Sequence, residues 1–173
     1  MRINQIEIYR NRILDVCKKS INDETFFEKS LSEIAIEAKV SRMTIYRHFS
    51  NKDEIIKSLL VDNHIDKLFE NFSCDSSIYK IFLLRNHYLF RNNIIIYLLN
   101  NSRTDLINEP LKIQNDYLIQ KILSCKNMNN IYFNFIQGGY HQSLMMWINS
   151  FWTRSPESIA SELTRMFNLL FSD

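Results

Sequence analysis

The chain has 173 residues, of which 46% are hydrophobic, and only two are glycine and two proline. So apolar a chain can fill a core, but strands joined by hairpins would need more turn residues, and the composition predicts an all-α protein. A formal net charge of +2 says little about partners, so any electrostatic argument has to be local.

Targeting signals are absent from MRINQIEIYRNR, and the longest apolar run, Ile94 to Leu99, is far too short to span a bilayer. Cys17, Cys74 and Cys125 are odd in number and lack CxxC spacing, which suggests neither a disulfide framework nor a zinc site. The expected compartment is a reduced cytoplasm, with no membrane contact.

In chain order, Asn4 to Ser20 reads as a first helix with Ile6, Tyr9, Ile13, Val16, Cys17 and Ser20 on one face. Ser30 is placed to cap a second helix, with Glu33 at capping-box spacing and Leu31, Ile34, Ala35 and Ala38 forming its apolar stripe. The pattern breaks at Lys39-Val40-Ser41. Ser41 then caps a third helix, Arg42 to about Phe49, which buries Ile45 and Phe49 and presents Arg42, Thr44, Tyr46, Arg47 and His48. Two short helices on a tight turn make a helix-turn-helix, whose second helix fits a DNA major groove. Between Glu37 and Asp53 no residue is acidic, while Lys39, Arg42, Arg47 and Lys52 are basic. A phosphate lattice selects that balance, and the hydroxyls of Ser41, Thr44 and Tyr46 suit phosphate oxygens or base edges.

Lys52-Asp53-Glu54 opens a long helix expected to reach about Phe72, with a break at 73–77. Helices follow over Ile78 to Phe90 and Thr104 to Ser124, the latter interrupted at Glu109-Pro110. Ile94 to Leu99 fits a buried strand on periodicity alone, but the lack of turn residues favours a helix. Asn129 to Trp152 is apolar nearly all round and contains both glycines, Gly138 and Gly139, each costing about 1 kcal/mol against alanine. A close helix approach or a kink would offset that cost. Ser155-Pro156-Glu157 starts a final amphipathic helix. Two such helices from each of two chains would make a four-helix bundle, with Gly138, Gly139, Leu144, Trp147, Leu163 and Phe167 as interface candidates and a homodimer as the product. No phosphate loop, nucleophile elbow, HExxH or acid–base pair occurs, and the four histidines lack metal-ligand spacing. The expectation is no enzyme, no metal and no cofactor.

The order of residues from Ile13 to Ile56 resembles the DNA-binding domain of the tetracycline-repressor (TetR) family. Ile13-Leu14-Asp15 is similar to its opening helix, and Leu31, Ile34-Ala35 and Ala38-Lys39-Val40-Ser41 to its second helix and turn. Thr44-Ile45-Tyr46, His48-Phe49 and Lys52 are similar to its recognition helix and the start of the next helix. The chain departs from the family at Thr25, Lys39 and Met43, where glycine is usual. At Lys39 the turn requires a positive φ. The C-terminal part more loosely resembles dihydroxyacetone-kinase regulators.

The resemblance implies an N-terminal three-helix head over 1–53 and a helical effector-binding and dimerisation domain over 54–173, about nine helices in all. It implies a homodimeric, ligand-responsive regulator, a repressor before an activator, on a pseudo-palindromic double-stranded DNA operator. Ser30, Ser41, Arg42, Met43, Thr44, Tyr46, Arg47, His48 and Lys52 would contact DNA. Tyr79, His87, Tyr97, Tyr117 and Tyr140 are candidate polar tips in a pocket for an unidentified small effector. The alternative is a co-activator or adaptor on the same fold that does not bind DNA.

Overall fold

The computed structural model describes residues 2–61, 77–125 and 133–171. Among them are nine α-helices and no strand. They are α1 (Arg2–Asn22), α2 (Leu31–Glu37), α3 (Arg42–His48), α4 (Lys52–Leu60), α5 (Ile78–Phe90), α6 (Asn93–Asn100), α7 (Asp105–Cys125), α8 (Phe133–Asn149) and α9 (Pro156–Phe171). The run Ile94 to Leu99 is helical, as the missing turn signals required.

Helices α1 to α4 close around Ile13, Cys17, Ile21, Phe26, Ile34, Ala35, Ile45, Phe49, Ile55 and Ile56, all buried. Cys17 is a free thiol that burial pushes up to about 12. Around the second half of the chain, α9 lies along α5, α8 along α7, and α4 along α7. Leu89, Leu98, Ile107, Leu118, Ile119, Leu144, Ile148 and Ala160 fill that part of the core.

Helix ends explain how so glycine-poor a chain turns. After α1, α2, α6 and α8 a residue takes a left-handed conformation, namely Glu24 (φ 59°), Lys39 (φ 55°), Ser102 (φ 57°) and Phe151 (φ 51°). Each closes the paired hydrogen bonds of a Schellman motif. After α2, Lys39 N–H donates to Ile36 O at 3.1 Å and Val40 N–H to Ala35 O at 3.0 Å. The positive φ expected at Lys39 is present without glycine. Both glycines instead lie inside α8, and a Cβ added at either would meet nothing within 4 Å. Among the described residues no close approach offsets their cost.

The helix from Lys52 does not run unbroken to Phe72. Val61 (φ −82°, ψ 75°) leaves helical space after Leu60. The rest of that stretch, the break at 73–77, Cys74 and the expected start at Asn129 lie outside the described residues. Pro110 is accommodated inside α7. Cys125 is disulfide-bonded, contrary to the expectation from the cysteine count.

Candidate nucleic-acid interface

α3 is held by one cap and two apolar anchors. The Ser41 Oγ accepts from Thr44 N–H at 3.0 Å and shares a 2.8 Å bond with Thr44 Oγ1. Ile45 and Phe49 are buried beneath it. With that face fixed, Arg42, Met43, Tyr46 and Arg47 are exposed and Thr44 and His48 half-buried. Met43 is 73% exposed, a bulky apolar tip at the centre of the outward face.

α2 enters through a complete capping box. Ser30 Oγ accepts from Glu33 N–H at 3.2 Å, and Ser30 N–H donates to Glu33 Oε2 at 2.7 Å. That backbone bond, more than the nearby lysines, holds the Glu33 carboxyl below its ordinary value.

Two neighbours modify the basic surface. Lys52 Nζ donates to Phe27 O at 2.8 Å and Lys29 O at 3.0 Å, and lies over the Phe26 and Phe27 rings. Two of its three donors therefore serve the head's own loop, which the sequence pattern did not reveal. The Arg10 guanidinium lies over the Phe49 ring, 5.6 Å from its centroid, bringing a further cation from α1 to the end of α3. Burial first, then Arg10 and Arg47, lower the His48 pKa, leaving the ring neutral at pH 7.

Most candidate pocket residues are not brought together. Tyr79 borders a shallow groove against α9, His87 Nε2 pairs with Glu157 at 2.9 Å, and Tyr117 is 40% exposed with Lys121 over its ring. Tyr97 faces the head, where its hydroxyl accepts from Phe27 N–H at 3.1 Å. Only Tyr140 is deep in the C-terminal core, stacked on Phe82 with centroids 5.0 Å apart and its phenol pKa raised by burial. It borders an apolar groove between α8 and α9 with Phe82, Ile136, Leu163 and Phe167.

Of the candidate interface residues, Leu144, Trp147, Leu163 and Phe167 are buried within the chain itself. Trp147 Nε1 donates to Arg154 O at 2.8 Å. Gly138 is exposed and Gly139 half-exposed. Among the described side chains, the large apolar ones exposed on α8 and α9 are Phe135, Met146, Met166 and Leu169.

A buried polar cluster escaped the sequence reading. Arg85, Gln114 and Asn115 lie in the core, with Arg85 Nη2 donating to Gln114 Oε1 at 2.6 Å and Asn115 Oδ1 at 3.4 Å. Their one sequence signal is position: they fall at apolar-face spacing from Phe82, Leu89, Leu111 and Leu118. No group of three or more possible metal ligands occurs among the described residues.

Residues 13–59 match the family model of bacterial regulatory proteins, tetR family. No curated protein matches the chain. Among solved structures, a TetR transcriptional regulator from Rhodococcus sp. RHA1 is similar over 96% of this chain and 97% of its own, at 14% identity and a TM-score of 0.66. The structure of RolR in complex with resorcinol is similar over 95% of this chain and 89% of its own, at 12% identity and a TM-score of 0.65. At such identities the likeness carries the fold, while the head is matched in sequence as well. Residues 13–59 thus carry a head domain matched by the tetR family of bacterial regulatory proteins, on a chain whose overall fold is that of the two similar structures.

Proposed function

We propose that the protein is a homodimeric, ligand-responsive regulator, a repressor before an activator, that reads a pseudo-palindromic operator in the cytoplasm. The observation that carries this reading is the outward face of α3. It is a short helix capped at Ser41, anchored by Ile45 and Phe49, and presenting Arg42, Thr44, Tyr46 and Arg47 with no acid between Glu37 and Asp53. Arg42, Thr44 and Arg47 read base edges, and Met43 meets a thymine methyl. Tyr46, Ser30, Ser41 and His48 hold phosphates, and Lys52 offers its remaining donor there. Arg10 joins them from α1.

Dimerisation is supported by the face of α8 and α9. Phe135, Gly139 and Met146 fall on one stripe of α8, and Met166 and Leu169 are exposed on α9. A partner's helices laid there would bury these side chains and give the glycines the close neighbour they lack among the described residues. The functional division of 1–53 from 54–173 falls inside α4. That helix contributes Ile55 and Ile56 to the head, while its last carbonyl is bonded by Gln114 of α7.

For the effector we favour a small, largely apolar molecule in the groove beside Tyr140. One of the similar solved structures, that of RolR, is a complex with resorcinol. No helix among the described residues is long and apolar enough to cross a membrane. The reading is regulatory rather than enzymatic.

Met43 and the engaged Lys52 favour a second reading, an adaptor on this fold that does not bind DNA. Selection from a random duplex library separates the two. Enrichment of an inverted repeat supports the regulator, whereas no enrichment over successive rounds supports the adaptor.

A further inference from the structure

His141 on α8 faces a polar row on α7: Asn108, Lys112, Asn115 and Asp116, whose spacing puts them on one helical face. Its Nε2 meets Asn108 Oδ1 at 2.9 Å, and its Nδ1 meets Asn115 Nδ2 at 3.1 Å. The Asn115 amide is not free to flip. Its Oδ1 accepts from Arg85, so a flip would aim amide hydrogens at a guanidinium. The Nδ1 atom must therefore accept, which fixes the imidazole as neutral, with its proton on Nε2 and donated to Asn108.

The same arginine continues the chain of bonds. Arg85 Nη2 donates to Gln114 Oε1 at 2.6 Å, and Gln114 Nε2 donates to the carbonyl of Leu60, the last residue of α4. Arg85, Gln114 and Asn115 are buried, so little water is at hand to replace a lost bond. Asp116 supplies a second position for the ring. Its Oδ1 is buried without a hydrogen-bond partner, and its charge favours the imidazolium.

We propose that His141 is a proton-operated latch on the head: protonation makes Nδ1 a donor, drives the ring from Asn115 towards the Asp116 carboxylate, and loosens the hold of Gln114 on the end of α4. Burial sets the His141 pKa below its ordinary value, with Asp116 drawing it up and Lys112 pushing it down. The latch is accordingly closed at neutral pH and opens in acid. Its consequence for operator binding rests on the regulator reading; the latch itself does not.

The test is NMR of the full chain between about pH 7.5 and about pH 5.5, a window that spans histidine titration. The Leu60 and Val61 backbone amides and the Gln114 side-chain amide are expected to shift with the midpoint of the His141 ring. His141→Gln keeps a polar group at that position but cannot titrate, so those shifts disappear. Asn115→Asp gives the protonated ring a carboxylate partner. It raises the midpoint and uncouples the α4 signals from it. Signals at the end of α4 that ignore the His141 midpoint, or that titrate unchanged in His141→Gln, overturn the proposal.

A parallel DNA measurement keeps His48 in both proteins. Acid is expected to weaken binding about fivefold more in the parent than in His141→Gln, at the low end of allosteric couplings. Absence of DNA binding at every pH would defeat the regulator reading, while the NMR result would still decide the latch.

Discussion

The Tyr97 hydroxyl accepts a hydrogen bond from the backbone N–H of Phe27 across 70 residues of chain, and the two rings stack with centroids 5.2 Å apart and planes 12° apart. Arg103 closes the same seam, its guanidinium lying over the Phe27 ring and bonded to Asp53 at 3.0 Å. Tyr97→Phe keeps the ring and removes the acceptor, leaving a half-buried N–H unpaired. The expected loss is about 1–2 kcal/mol of unfolding free energy in a urea titration. An unchanged midpoint would mean that water replaces the hydroxyl and the seam is looser than its geometry indicates.

Lys39 has a left-handed backbone that glycine adopts without steric cost. Its side chain is exposed, so Lys39→Gly removes strain and no packing. The variant should be more stable by about 1 kcal/mol, the usual penalty of a non-glycine residue in this conformation. A lower denaturation midpoint would show that the lysine side chain stabilises the turn by more than its backbone costs.

Glu33 and Glu54 each accept from a backbone N–H ahead of their helices, Ser30 at 2.7 Å and Ser50 at 2.6 Å, and both pKa values are lowered chiefly by those bonds. A lowered carboxyl pKa gives stability that is present above the ordinary glutamate value and lost as pH falls through the folded value. Replacing both residues by glutamine should flatten the acid limb of stability against pH below about 4.5 while changing the neutral plateau less. An acid limb identical to that of the parent would assign acid unfolding to other groups.

Arg47 and Lys52 lie in the same basic stretch but differ in their partners. Arg47 is exposed, so Arg47→Ala should leave the melting curve unchanged and cost about 1–3 kcal/mol in operator binding, with relaxed preference at one base position. Lys52 is bonded to two carbonyls of its own head, so Lys52→Ala should lower stability as well as affinity. If Arg47→Ala weakened all DNA sequences equally, the arginine would be a phosphate contact. A Lys52→Ala head as stable as the parent would return Lys52 to the DNA surface alone.

Features governed by neighbours in sequence could be read from the sequence. The caps at Ser30, Ser41 and Ser155, the buried Ile45 and Phe49, and the positive φ at Lys39 all depend on residues within a turn or two. Periodicity also identified which residues of α8 and α9 are apolar. It could not say which neighbour covers them: Leu144, Trp147, Leu163 and Phe167 are covered by their own chain, leaving Phe135, Met146, Met166 and Leu169 exposed. Tyr97 followed the same logic, since an amphipathic ring gives no sign that its partner is a loop 70 residues earlier. The Arg85, Gln114 and Asn115 cluster was hidden because polar residues on an apolar stripe can be placed only once their mutual bonds are known.

On the proposed function, the α3 face reads DNA as one half of a two-fold pair. The most direct test is fluorescence anisotropy of the purified protein on a selected inverted-repeat duplex, titrated with salt and with random-sequence competitor. Two chains per site are expected, with preference over the competitor and an affinity that falls steeply with salt as phosphate contacts release counterions. Binding no tighter than to random DNA, or a single chain bound per repeat, would contradict that reading.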